Sequence, residues 1–148
     1  MKVKVKWLDG VSFVGETTNH QKIMMDGPPE AGGQNRGARP METVLIGTGG
    51  CSAYDVVTIL QKSRQEISDC MVEIDAERAE QDPKVFTRIH FHFVVKGKNL
   101  RPQQVERAIQ LSAEKYCSAS IMLAKTAIIT HDFEIVEENA ELLKAGNN

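Results

Sequence analysis

At 148 residues, with 41 % apolar and 26 % charged side chains, the chain is sized for one soluble domain with a core of its own. A net charge of −2 excludes strong electrostatic attraction to nucleic acid or to a membrane surface, and 5 % aromatics argues against a base-stacking face. Three cysteines without a Cys-x-x-Cys spacing disfavour a disulfide scaffold or a thiolate zinc site.

The chain starts Met1-Lys2-Val3-Lys4-Val5-Lys6-Trp7. Val3, Val5 and Trp7 alternate with lysines, which predicts a half-buried strand rather than a secretory signal. No apolar run approaches the roughly 20 residues needed to cross a bilayer. The expected compartment is the cytoplasm, where thiols stay reduced unless they cycle in catalysis. Asp9-Gly10 is a turn signal, Ser12 to Glu16 can return as a hairpin partner, and Lys22 to Met25 suggests a third strand. Residues 26–39 hold four glycines and two prolines, a loop of a length that is often functional.

Pro40 suits the first turn of a helix, and the apolar stretch behind it predicts a buried central helix over 40–63. Gly47, Gly49 and Gly50 oppose helix by about 1 kcal/mol each against Ala, so close approach of another backbone or a substrate must offset them. Residues 71–80 and 85–96 alternate at period two and predict a hairpin. In its second strand Ile89, Phe91, Phe93 and Val95 share one face, and Arg88, His90 and His92 the other. Pro102 opens a helix with Val105, Ala108, Ile109, Ser112, Ala113 and Tyr116 along one stripe. A last strand is expected over 127–136 and a helical tail from Glu137 to Ala145. The layout is one α+β domain over 1–148: strands and loop to residue 39, a central helix over 40–63, and the remaining elements over 71–148, with an antiparallel sheet. The central helix is too apolar for one sheet face with water behind it, so a partner subunit is the expected second layer.

Two cysteines carry the chemistry. Cys51 follows Gly49-Gly50, and Cys117 lies in Tyr116-Cys117-Ser118-Ala119-Ser120. If the fold brings them together they form a peroxide-reducing thiol pair; if not, they are small core residues. A thiol reacts as its thiolate, so a cation is needed. Arg36 and Arg39 precede the helix, but eleven residues of helix rise about 16 Å, which favours an arginine delivered across an interface or by a loop that wraps back. Asp55, one turn after Cys51, opposes a thiolate through its negative charge. Cys70 reads as structural, at a loop-to-strand boundary. His90-x-His92 has a spacing some metal sites use, but Arg88 on the same face repels a cation, so a solvated polar face is expected. His20 and His131 are isolated, and Gly27 to Gly33 lacks the spacing and lysine of a phosphate loop.

The stretch from Pro40 to Gly50-Cys51-Ser52-Ala53-Tyr54-Asp55 and the segment Lys115-Tyr116-Cys117-Ser118-Ala119-Ser120 together resemble the OsmC/Ohr family of thiol peroxidases, in its YhfA-like branch. The separation of 66 residues between the two cysteines fits the family layout, and the resemblance spans nearly the whole chain. It implies antiparallel sheets wrapped around long buried central helices in an intertwined homodimer, with sites at the interface. It implies Cys51 as the peroxidatic and Cys117 as the resolving thiol, with an arginine (Arg39 or Arg36) activating the thiolate and Glu42 helping at the helix start. The implied substrate is an organic hydroperoxide and the reductant a small dithiol or protein thiol, with no cofactor or metal. The family glutamate follows the proline directly; here Met41 holds that position and Glu42 comes next, pointing about 100° away in a helix. Asp55 stands where the name-giving branches carry an apolar residue. The alternative is a non-catalytic dimeric binding protein on the same fold.

Overall fold

A computed structural model describes residues 1–138. The chain divides into two compact units, Met1–Gly47 and Thr48–Asn148.

The first unit is an antiparallel meander of β1 (Val3–Asp9), β2 (Ser12–Thr17) and β3 (Lys22–Asp26). The period-two pattern sets its register: Val5 pairs with Gly15, and Phe13 with Met25. The apolar face of β1 is uncovered, with Val3, Val5 and Trp7 at 62, 64 and 62 % exposure. The loop after β3 contains one 3-10 turn, Pro29–Ala31. Asp26 organises it. Its buried carboxylate accepts from Ser12 Oγ (2.8 Å) and from the backbone N–H groups of Gly27 (2.9 Å), Gln34 (2.9 Å) and Arg36 (3.0 Å). Gly33 is dictated by this packing, since a Cβ there would lie 1.7 Å from the Gly27 carbonyl oxygen.

Helix α1 (Pro40–Lys62) links the units. Pro40 takes the first helical position, and Glu42 Oε2 reaches back to accept from the Arg39 N–H at 2.7 Å, half of a capping box. The expectation of burial on most faces is only partly met. The buried residues are Thr48, Gly49, Ser52, Val56 and Leu60, one stripe at helical spacing. Ile46 and Tyr54, on the opposite stripe, are 65 and 72 % exposed. The expected lack of a bilayer-length segment also needs correction. At 23 residues, with a mean hydropathy of 1.4 in its most apolar window, α1 is long and apolar enough by length and composition, a test that the core helix of a soluble protein also passes.

The second unit holds β4 (Glu66–Arg78), β5 (Phe86–Lys98) and β6 (Ile128–Glu137), ordered β4-β5-β6. The expected hairpin is β4–β5, paired antiparallel. β6 departs from the antiparallel expectation and runs parallel to β5, because a crossover holding α2 (Pro102–Leu111) and α3 (Ser118–Leu123) returns the chain to the same end of the sheet. The alternating face of β5 is the core: Phe91, Phe93 and Val95 are fully buried and Ile89 nearly so, each of these side chains contributing about 1.5–3 kcal/mol. Val56 and Leu60 of α1 and Val105, Ala108 and Ile109 of α2 join this apolar interior. β4 begins at Glu66, before the expected residue 71, because a bulge between Ile67 and Asp69 interrupts the alternation. Cys70 is therefore inside a strand, opposite Val95, and not at its boundary. The expected helical tail starts on Glu137, the last residue of β6, and Glu138, which is not helical and whose N–H donates to the Gly97 carbonyl at 2.8 Å; residues 139–145 lie outside the described residues.

Candidate functional site

In the second unit α1 passes close over β4. A Cβ on Gly49 would meet Ile74 Cδ1 at 2.8 Å, so the missing side chain permits this approach. Just beyond, Cys51 and Asp55 share a helix face at i, i+4 spacing. The second thiol arrives from α2. That helix does not end at Leu111 but widens into a π-helical turn, Ser112–Tyr116, closed by Cys117 N–H donating to the Ser112 carbonyl at 2.8 Å. Cys117 then caps α3, with the Ser120 N–H donating to its sulfur at 3.5 Å.

The fold brings Cys51 and Cys117 together. Their Sγ atoms and a carboxylate oxygen of Asp55 all lie within 4.8 Å of one another. The sulfurs differ in access: Cys51 is half-buried, while Cys117 is fully buried. Burial pushes the Cys117 thiol above its ordinary pKa; hydrogen bonds from Ser120 oppose the shift, and the neighbouring Cys51 adds to it. The Cys117 thiol also faces the Thr48 carbonyl at 3.9 Å.

Three serines complete the site, none of them a candidate from the sequence. Ser112 Oγ donates to Asp55 Oδ2 at 3.1 Å and lies 3.1 Å from Ser52 Oγ, so two buried hydroxyls form a relay ending on the carboxylate. Ser120 supplies the cap at Cys117. The available signal was Ser112 itself, a hydroxyl on the otherwise apolar stripe of α2. Beside Asp55 runs a groove of about 530 Å³, walled by Tyr54, Thr58, Ile59, Leu111 and Tyr116.

Arg36, Arg39 and Glu42 belong to the first unit. The Arg36 guanidinium forms an exposed ion pair with Asp9, with Nη1 donating to Oδ2 at 3.1 Å. That pair raises the arginine pKa and lowers the carboxylate's. Arg39 Nη2 donates to Asn35 Oδ1 at 2.6 Å and Nη1 to the Gly37 carbonyl at 3.4 Å, both neutral acceptors. Glu42 serves as the cap described above.

The remaining candidates separate from this site. Cys70 is pushed up to about 11 by burial, with the Asp69 charge adding. His92 Nδ1 and His90 Nε2 share Asp132 Oδ1 at 2.6 and 3.2 Å, and His90 Nδ1 meets Thr130 Oγ1 at 2.7 Å, the polar strand face expected from the alternation. His131 stacks on Phe91 and Phe93 with centroids at 5.3 and 6.3 Å, and its burial depresses the imidazole pKa.

Two sheets, a long glycine-bearing helix and a pair of remote cysteines meeting beside it define a class: α+β proteins with a thiol pair at a central helix. The chain belongs to the OsmC family, since the family described as "OsmC-like protein" matches residues 32–132. It is 48 % identical over 136 residues to Protein YhfA of Escherichia coli K12, covering 92 % of this chain and 98 % of that protein. A hypothetical protein from Aquifex aeolicus superposes with a TM-score of 0.81 at 29 % identity, over 93 % of this chain and 97 % of the other. The organic hydroperoxide resistance protein OhrB of Bacillus subtilis shares the fold with a TM-score of 0.62 at 17 % identity, over 90 % and 96 % of the two chains.

Proposed function

We propose that this protein is a thiol peroxidase that reduces organic hydroperoxides. The observation that carries the reading is the meeting of Cys51 and Cys117 within 4.8 Å, one sulfur accessible and the other buried. Organic hydroperoxide resistance proteins among the structural relatives support organic hydroperoxides as the substrate class. The Cys51 thiolate attacks one peroxide oxygen, the O–O bond breaks, and the alkoxide leaves with a proton as alcohol. Cys51 is then a sulfenic acid. The Cys117 sulfur attacks it, the sulfenic hydroxyl leaves as water with the Cys117 proton, and a disulfide forms. A small dithiol or protein thiol reduces that bond by exchange. No metal or organic cofactor enters these steps.

Arg39 is the better candidate for activating Cys51, because the hydrogen-bond partners of its guanidinium are neutral, whereas Asp9 already neutralises Arg36. Glu42 holds the Arg39 backbone at the head of α1. The acting unit in this reading is a cytoplasmic homodimer that binds neither nucleic acid nor membrane. The exposed stripe of α1 and the uncovered face of β1 favour a second copy as their cover.

The test is stopped-flow oxidation of the reduced protein by cumene hydroperoxide, with the product digested for mass spectrometry. Both thiols are consumed and one Cys51–Cys117 disulfide appears; Cys51→Ser abolishes the fast phase and Arg39→Lys slows it. Equal rates for wild type and Cys51→Ser would remove the reading. Asp55 favours the alternative, a non-catalytic dimeric binding protein, because its carboxylate opposes a thiolate nearby. That reading predicts slow alkylation of Cys51 at pH 6 and no disulfide after peroxide.

A further inference from the structure

We infer that Cys51, Asp55 and Cys117 form a binding site for a thiophilic divalent cation of the zinc type, independently of any peroxide chemistry. No Cys-x-x-Cys marks such a site in the sequence; the tertiary fold assembles it. Two ligands come from one helix face at i, i+4, the spacing by which a helix presents two ligand atoms to one ion. The third comes from the junction of the π turn and α3.

The geometry suits the ion. A tetrahedral centre with metal–sulfur bonds of about 2.3 Å holds its two sulfurs roughly 3.8 Å apart. The sulfurs and the carboxylate oxygen already lie within 4.8 Å of one another, so side-chain adjustment of about 1 Å or less closes the sphere. Two thiolates with one carboxylate make a mixed soft and hard donor set, which selects zinc or cadmium over magnesium or calcium. Among the described residues this is the only His, Cys, Asp or Glu cluster with metal-site spacing.

Outer partners are also in place. Ser112 Oγ donates to Asp55 Oδ2 and leaves the other carboxylate oxygen free, and the Ser120 N–H donates to Cys117 Sγ. Cys51 is only partly buried, and the groove lined by Asp55 gives a path to the carboxylate side of the site. Three protein ligands leave a fourth position open. On coordination each thiol loses its proton to the buffer, and the cation neutralises three anionic groups that otherwise repel one another.

The experiment uses the full chain, reduced with a non-coordinating phosphine and free of peroxide. It is titrated with cadmium while the sulfur-to-cadmium charge-transfer absorbance is followed, then dialysed against zinc. Expected is uptake of one equivalent of either metal with a thiolate band for cadmium. Asp55→Asn keeps the band but binds at least about tenfold more weakly, the loss that removal of even an outer partner produces. Cys51→Ser and Cys117→Ser each lose the one-equivalent site while keeping the wild-type circular dichroism, and Cys70→Ser titrates like wild type. Absence of the band in wild type, or a full equivalent retained by folded Cys51→Ser, overturns the assignment. Failure here leaves the peroxidase test untouched, and a thiol pair inert to peroxide leaves this site standing.

Discussion

Gly50→Ala sets helix propensity against packing. In the single chain a Cβ at Gly50 meets nothing within 4 Å, and the same holds at Gly47. Propensity alone then predicts stabilisation by about 1 kcal/mol, which raises the melting midpoint by about 4 °C in a chain of this size. The proposed homodimer predicts otherwise. Gly50 lies on the exposed stripe of α1 with Ile46 and Tyr54, where a glycine lets a second helix approach closely. A methyl forced into a packed interface costs about 1–3 kcal/mol, and a twofold interface meets it twice. Two methyls at the low end make roughly 2 kcal/mol, or about a thirtyfold rise in the dimer dissociation constant. Sedimentation velocity over a dilution series reads that shift directly. Gly49→Ala is the control: its Cβ meets only the Ile74 side chain of the same chain, Cδ1 at 2.8 Å and Cγ1 at 3.9 Å, and the close contact is the end of a flexible side chain, so association holds. Unchanged association in Gly50→Ala, with the midpoint raised by about 4 °C, would mean that the methyl met water and that α1 does not pair through this stripe.

Cys70, with its thiol pushed up to about 11, escapes alkylation at pH 8 while Cys51 reacts, and Cys70→Ser leaves peroxide consumption within about twofold, as peptide mass spectrometry and stopped flow can show. Gly97→Ala places a Cβ 2.3 Å from the Glu66 carbonyl oxygen, a backbone atom that cannot yield, so urea unfolding should report a loss of at least about 2 kcal/mol. Asp26 is held at about 2, mainly by the Arg36 N–H and Ser12 hydroxyl; its stabilisation is full above the ordinary 3.8 and is lost as pH falls through about 2, so Asp26→Asn flattens the acid-unfolding profile across that window. The His92 pKa is raised, chiefly by its hydrogen bond to Asp132, so the pair stabilises the fold below the ordinary 6.5 and the contribution fades as pH rises through the raised value; Asp132→Asn should bring the NMR titration of His92 down.

What the sequence revealed depended on whether one face met the core. β5 was legible because Ile89, Phe91, Phe93 and Val95 all bury on the same side. The start of β4 was hidden because a bulge shifts the alternation after Ile67. The direction of β6 was illegible, since a period-two pattern is the same read parallel or antiparallel. The apolar stripe of α2 held through Ser112, then lost phase, leaving Tyr116 49 % exposed because a π turn adds a residue to the helical cycle. The two thiols were legible as candidates. The Asp55–Ser112–Ser52 relay was not, because partners 57 and 60 residues apart leave no local signature.

The π turn ties these observations together. Ser112 and Cys117 occupy its two ends, joined by the hydrogen bond that defines it. One end hands a hydroxyl to Asp55; the other sets the Cys117 sulfur beside Cys51. A plain α-helix through this stretch would rotate whatever follows by about 100° relative to Ser112, so one end could meet α1 only by losing the other. A π turn in mid-helix costs hydrogen-bond quality and persists where tertiary contacts hold it. Here the contacts that hold it are those that assemble the thiol pair, so the local irregularity and the site are one structural feature. That coupling explains why Cys117 is fully buried while Cys51 stays open. The turn delivers the second sulfur from the interior, leaving Cys51 the less buried of the two cysteines.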